Sequence, residues 1–325
     1  MIHKIFPVLA CALAAWLGAW HFAWAQSYPN KPVRVIIPHG AGGPVDIIMR
    51  GMAVPLQQAL GQPFVIDIRG GADGIIGAEA CAHAAPDGYV ICTTATNVMT
   101  IGPGMHTKLP YDPVRDYAPV ARIGILDSAL VVHPSVPANT VAELFALARA
   151  KPESITWASF GMNTSSYMYL EWVKKTRNAP FLHVPYKTAA QSQNATLAGE
   201  VQVNIYAAGA AAPLARAGKI KILAVTGDKA SPFVPGAPSF KEAGIDLPWR
   251  TWYGVFAPAA TPREIVLRLN AEMNHAVNAP FGEKALLSQG VVPATGTPEE
   301  FAAFLNEDRA LFARMMSVIG VRPVD

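Results

Sequence analysis

The stretch VRVIIPHGAGGPVDIIMRGMA, Val33–Ala53, decides the fold. A β-branched run (Val33–Pro38) is followed by a glycine loop and then a helical stretch (Pro44–Leu60). Pro44 falls in the first helical turn, where a missing N–H costs nothing. Pro55 lies inside the same stretch and is expected to kink the helix or mark its effective end. The loop Gly40-Ala41-Gly42-Gly43-Pro44-Val45 stops one residue short of G-x-G-x-x-G, the loop that cradles a dinucleotide pyrophosphate. Asp67, near the end of the next strand, also suits a nucleotide. Val45 does not: its branched side chain would crowd the close helix–strand contact that the third glycine permits, so the motif is weak.

Strand and helix alternate onward from there. Phe64–Arg69 reads as a second strand, Ile75–Ala84 as a helix and Tyr89–Thr94 as a third strand, the pattern of a parallel sheet covered by helices. The pattern restarts at Ala129–His133. Thr140 opens the helix Val141–Ala150, with Glu143 at the capping-box position. Ile155–Ser159, Phe181–Pro185, Val201–Tyr206 and Ile220–Val225 read as further strands, with helices at Ser165–Lys175 and Ala189–Ala198. Thr251–Ala257 looks like a returning strand, and helices follow at Pro262–Asn278 and Thr297–Val318. Two α/β lobes, with the chain passing between them twice, fit this order better than one large sheet.

The 325 residues, half of them hydrophobic, are enough for two such cores. The first 25 residues stand apart. Lys4, an apolar run from Ile5 to Trp24 and the Ala23-Trp24-Ala25 triplet before Gln26 have the form of a cleavable export signal, the alternative being a retained anchor. Removing Lys4 from 26 basic residues leaves 25 against 23 acidic ones, with no basic run, so nucleic acid is a poor partner. Export would also take the chain away from cytoplasmic dinucleotide pools. Cys81 and Cys92 could pair across the Pro86-Asp87-Gly88 turn in an oxidising compartment. Two buried thiols are favoured instead, because helix and strand belong to different layers. No CxxC, HExxH or Cys/His cluster supports a metal, and no cofactor is implied.

Enzyme signatures are sparse. There is no G-x-S-x-G elbow. His39, His83, His106, His133, His183 and His275 are scattered, with His133 and His183 expected to be packed and hydrogen-bonded. Only His39 lies in a suspect loop, and no catalytic residue is assigned. The ends of three strands are instead small and polar: His39–Gly43, Thr93–Asn97 and Ser159–Ser166. Ligands of open α/β sheets bind outside such ends, and helix N-termini supply N–H donors suited to a carboxylate. A small organic acid is therefore the expected ligand of a receptor, the alternative being a periplasmic hydrolase-like enzyme that acts on such an acid through His39.

A series of ordered motifs carries a resemblance across nearly the whole chain, from Tyr28 to Val321. Tyr28-Pro29-x-Lys31-Pro32-Val33-Arg34, Gly42-Gly43-x-x-Asp46, Gly77-Ala78-Glu79 and Ala84-Ala85-Pro86-Asp87-Gly88-Tyr89 come first. Leu109-Pro110-Tyr111-Asp112-Pro113, His183-Val184-Pro185-Tyr186-Lys187, Ala217-Gly218-Lys219 and Thr297-Pro298-Glu299-Glu300-Phe301 follow. Together they resemble the Bug/TctC family of periplasmic solute-binding proteins. The resemblance implies an α/β, two-lobed type 2 periplasmic binding protein fold, each lobe a mainly parallel sheet flanked by helices. Residues 26–126 with 251–325 would form lobe 1, residues 127–250 lobe 2, and residues 1–25 the signal. The resemblance further implies a periplasmic monomer that hands a small organic acid to transporter subunits or acts as an orphan receptor.

Site residues follow on the same terms. His39, Gly42, Gly43 and Asp46 would hold the carboxylate, Gly42 and Gly43 letting the backbone approach it closely. Asp46 serves equally well as a helix cap. Thr94 and Thr96 close the neighbouring strand. In lobe 2, Ser159, Phe160, Met162, Thr164 and Ser165 form the facing loop, with Tyr206 and Ala207 after a later strand. Phe160 and Met162 stand where the family often carries small groups, and Tyr206-Ala207 where an acidic and amide pair is common. Unless Phe160 and Met162 turn into the core, these changes favour aromatic or otherwise apolar monocarboxylates over citrate-like acids.

Overall fold

The computed structural model describes residues 28–227, 229–247, 249–321 and 323. The expected export signal lies outside them. The first lobe opens with β1 (Val33–Ile37), α1 (Pro44–Leu60), β2 (Phe64–Ile68), α2 (Ile75–Ala82) and β3 (Val90–Ala95). A π-helical turn (Asn97–Ile101) leads into the short α3 (Gly102–Met105) and then β4 (Tyr117–Leu126). The second lobe contains β5 (Ser128–Val132), α4 (Val141–Ala150), β6 (Thr156–Ser159), α5 (Ser165–Arg177) and β7 (Leu182–Pro185). It continues with α6 (Ala189–Leu197), β8 (Val203–Ala207), α7 (Ala208–Arg216) and β9 (Lys221–Val225). The chain returns through β10 (Trp252–Pro258), α8 (Arg263–Asn278), α9 (Pro280–Ser288), β11 (Val291–Pro293) and α10 (Pro298–Ile319).

Both sheets are mixed rather than mainly parallel. In the order β11-β4-β10-β3-β1-β2, β1 is parallel to its neighbours β2 and β3. β10 enters from the other lobe and runs antiparallel to β3 and β4. The second sheet, β7-β6-β8-β5-β9, pairs β6 parallel with β7 and β8, and β5 antiparallel with β8 and β9. The carboxyl ends of β1 and β3 therefore share one edge of the first sheet, and those of β6 and β8 one edge of the second.

Local chemistry explains most boundaries. Thr140 and Glu143 complete the expected capping box on α4. Pro55 does not end α1, which continues to Leu60 and stops at Gly61 in a left-handed turn (φ 69°). Strand β4 was not legible, because Pro119, Arg122 and Gly124 interrupt its β-branched pattern. It is held by β10 through two register shifts instead.

The expected free thiols are corrected: Cys81 on α2 and Cys92 on β3 form a disulfide, with Cα atoms 6.0 Å apart. Both residues point into one apolar cluster with Ile36, Ala78 and Phe256. Adjacent layers face each other there, and the layer argument for free thiols overlooked that contact.

The lobes are joined by more than their crossing strands. At one crossing, Thr96 Oγ1 accepts from the Trp252 amide at 2.8 Å. At the other, Arg250 lies 3.9 Å from the buried Asp127 carboxylate. Helix α10 spans both cores. Phe301 and Leu305 pack under the first sheet, whereas Phe312, Met315 and Ile319 join Leu130, Trp157 and Leu170 under the second. The second half of a helix grouped with lobe 1 by chain order thus packs in the core of lobe 2. Between the halves sits buried Asp308, accepting from Thr100 Oγ1 at 2.6 Å and Trp252 Nε1 at 2.9 Å. Burial pushes its carboxyl above the usual carboxylate range, against the pull of those hydrogen bonds.

Candidate ligand site

The first wall of the site is main chain. Gly42 adopts a left-handed conformation (φ 75°) and Gly43 caps α1 from an extended one. Asp46 is buried, and both its oxygens are engaged: Oδ2 accepts from the Gly42 amide at 2.9 Å and Oδ1 meets Arg50 Nε at 2.7 Å. Asp46 thus shapes the loop as a cap. The first-turn amides of Val45 and Asp46 belong to the set that a helix leaves without internal partners. They point the positive end of α1 at the loop mouth. A Cβ at Gly43 would stand 3.2 Å from the Gly40 carbonyl oxygen, so the loop is already tight.

His39 precedes this loop. The residue keeps an exposed edge, but its Nε2 is buried without a hydrogen-bond partner. Burial alone pushes its pKa down to about 4, so the ring is neutral at physiological pH. Thr93 and Thr94, at the end of β3, are fully buried, each with an unpartnered hydroxyl. Thr96 is spent on the hinge contact with Trp252.

The second wall is made of side chains. Ser159 ends β6 with its hydroxyl 2.7 Å from His183 Nε2, and Tyr167 lies over the same imidazole. Burial lowers the His183 pKa. Gly161 turns the loop at φ 120°, and Thr164 caps α5 while donating to the Gly161 carbonyl at 2.7 Å. Ser165 begins α5, half-buried. Phe160 is half-buried and Met162 is 46% exposed, and neither joins a core cluster. The apolar side chains of this loop are therefore free to meet a ligand.

Tyr206 is placed elsewhere. Its ring is buried with Val131, Ala211 and Ile220, and its hydroxyl donates to the Gln193 carbonyl at 3.0 Å. Alternation along β8 sends Val203 and Ile205 to one face and Tyr206 to the other. Ala207 ends the strand and packs against the first-lobe core.

Two residues not singled out in the sequence belong to this region. Asn163 is buried, its Oδ1 unpartnered and its Nδ2 close to Gly102 of the opposite lobe. Asp73, in the turn between β2 and α2, places Oδ1 within 3.8 Å of where a Cβ on Gly161 would be. Its only sequence signal was an acid inside the glycine-rich run Gly70–Gly74.

Two surface grooves lie outside the glycine loop and the Ser159–Ser166 loop. One, about 570 Å³, runs along residues 103–116, and the other, about 600 Å³, lies between Tyr186, Lys187 and α6. Both are open, whereas the buried unpartnered groups of His39, Thr93, Thr94 and Asn163 lie in or beside the strand-end loops. Among the described residues there is no cluster able to hold a metal ion, and no helix long and apolar enough to cross a membrane.

This is the architecture of a two-lobed solute-binding protein. Residues 48–321 match the model of the tripartite tricarboxylate transporter family receptor, and the chain belongs to that family, the Bug/TctC proteins. A UPF0065 protein of Pseudomonas sp. strain P51 is 32% identical over 90% of this chain and 87% of its own length. Among solved structures, R. palustris Rpa4515 with adipate superposes with a TM-score of 0.84 at 29% identity, covering 91% of this chain and all of that one. MatC from Rhodopseudomonas palustris with bound malate gives 0.79 at 26% identity, covering 90% of this chain and all of that one.

Proposed function

We propose that the chain is a periplasmic receptor, delivered by its N-terminal signal, that closes its lobes on a small organic carboxylate. It would pass that acid to membrane transporter subunits or act alone as an orphan receptor, working as a monomer. The observation that carries this reading is the glycine loop at the head of α1, where main-chain donors face an opening and the adjacent cation, Arg50, is paired with Asp46. Relatives solved with adipate and malate support the ligand class. A non-enzymatic role agrees with the histidines: among the described residues no ion pair joins His39 to an acid, and the Ser159 hydroxyl bonded to His183 is fully buried. Phe160 and Met162 favour a ligand with an apolar or aromatic body, and with Tyr206 turned away the preference rests on those two alone.

Gly43→Val tests the carboxylate site. The backbone at Gly43 (φ −75°) suits valine, so the fold is retained, while the branched side chain fills a space already tight against Gly40. Calorimetry with a panel of mono-, di- and tricarboxylates is expected to show stoichiometric binding by the wild type, no product and no binding by the variant. Equal affinity in both proteins would place the ligand elsewhere.

A further inference from the structure

Five segments at the strand ends, Pro38–Asp46, Gly70–Gly74, Thr93–Val98, Ser159–Ser166 and Tyr206–Gly209, hold no lysine or arginine and are neutral apart from two aspartates, while Arg69 directly follows β2 and Lys187 lies two residues past β7. Of the flanking cations, Arg69 pairs with Asp67 at 2.9 Å and Arg250 lies by Asp127, while Lys187 lines the outer groove. Of the two aspartates, Asp46 is consumed by Gly42 and Arg50. Asp73 is not: among the described residues it has no ion-pair partner. It sits in a left-handed conformation (φ 53°) that carries its carboxylate across to Gly161 of the other lobe. Two residues beyond Gly161, the buried Asn163 Oδ1 is an acceptor without a donor.

We propose that Asp73 is a specificity-determining residue that selects acids whose second polar group is cationic, an ammonium above all, and rejects a second carboxylate. This rests on the carboxylate reading above. The acid end of the ligand meets helix amides, which carry only partial charge. A second carboxylate would then face Asp73, with Arg69 and Arg250 already beside aspartates, and closure would strengthen that repulsion by removing water. An ammonium has the opposite balance. It pairs with Asp73 and can donate to Asn163, whose buried oxygen otherwise lacks a partner. The lip above stays apolar through Ile76 and Met162, which suits the carbon body between the two charges.

Matched pairs of ligands test this, each pair exchanging a carboxylate for an ammonium on the same carbon frame. Succinate against 3-aminopropanoate, adipate against 6-aminohexanoate, and terephthalate against 4-(aminomethyl)benzoate also vary the separation of the charges. In calorimetry the wild type is expected to prefer the amino acid of at least one pair by tenfold or more. Asp73→Asn, which keeps a side chain tolerant of the left-handed backbone, should cut that preference about tenfold and strengthen diacid binding. Asp73→Gly should behave alike, separating charge from backbone strain. If diacids win in the wild type, or Asp73→Asn leaves every ratio unchanged, the assignment fails while the receptor reading stands. If no carboxylate of either kind binds, both fail.

Discussion

The two walls of the cleft are built from different materials. On the first lobe, the proposed carboxylate anchor is main chain, Gly42, Gly43 and the amides opening α1, with the Asp73 side chain its one reach across the cleft. On the second, the wall is side chains: Phe160, Met162, Asn163 and Thr164. Main-chain donors bind any carboxylate alike, because every residue supplies the same N–H. Side chains differ in size, polarity and reach, so they determine which carboxylate is retained. The first lobe is also tied by Cys81–Cys92, whereas residues 127–250 contain no cysteine. One wall is a fixed anchor and the other a variable face.

The sharpest way to break this contrast is Gly43→Val, which should lower affinity for all carboxylates alike by at least a hundredfold. Selective loss for some acids would mean that the glycine loop itself discriminates. Next in size is the disulfide. Cross-linking residues 11 apart removes chain entropy from the unfolded state, and Cys81→Ala with Cys92→Ala should cost about 3 kcal/mol by chain-entropy arithmetic. Denaturant unfolding measures it, and unchanged stability would remove the distinction in rigidity.

Phe160→Ser addresses the other wall. Losing its apolar area should weaken benzoate-type acids by about 1–2 kcal/mol and leave citrate-type acids unaffected. A uniform loss would make the second lobe an anchor too. At neutral pH the smallest effect is that of His39, whose contribution shows only on acidification. Its folded pKa of about 4 lies below the unfolded value near 6.5, so between these pH values the unfolded chain binds the extra proton. His39 thus leaves stability intact above pH 6.5 and erodes it as pH falls toward 4. Melting curves of His39→Asn should be flatter across that window than those of the wild type. His183, which holds a hydrogen bond to Ser159, should show less change when substituted.

The order of strands and helices was readable because β-branched runs alternate with alanine-rich helical stretches bounded by glycine and proline. The glycine loop was readable because only glycine serves a close main-chain approach. Less was visible where the deciding fact is distance between layers. Cys81 and Cys92 could be placed on a helix and a strand, but not facing each other. Tyr206 could have been placed by the alternation of Val203, Ile205 and Ala207, since its neighbours point the opposite way. Asp73 could not, because an acid in a polar turn looks solvated until the fold sets Gly161 across from it.

Helix α10 has a consequence for how the molecule comes apart. Phe301 and Leu305 lie in one core, Phe312, Met315 and Ile319 in the other, and Asp308 joins Thr100 and Trp252 between them. Neither core can dissolve without stripping apolar cover from a helix that the other still needs. Two sheets, two lobes and two chain crossings are therefore expected to melt as one cooperative unit, a single calorimetric transition being the measurement, with the last turns of α10 among the residues that enforce it.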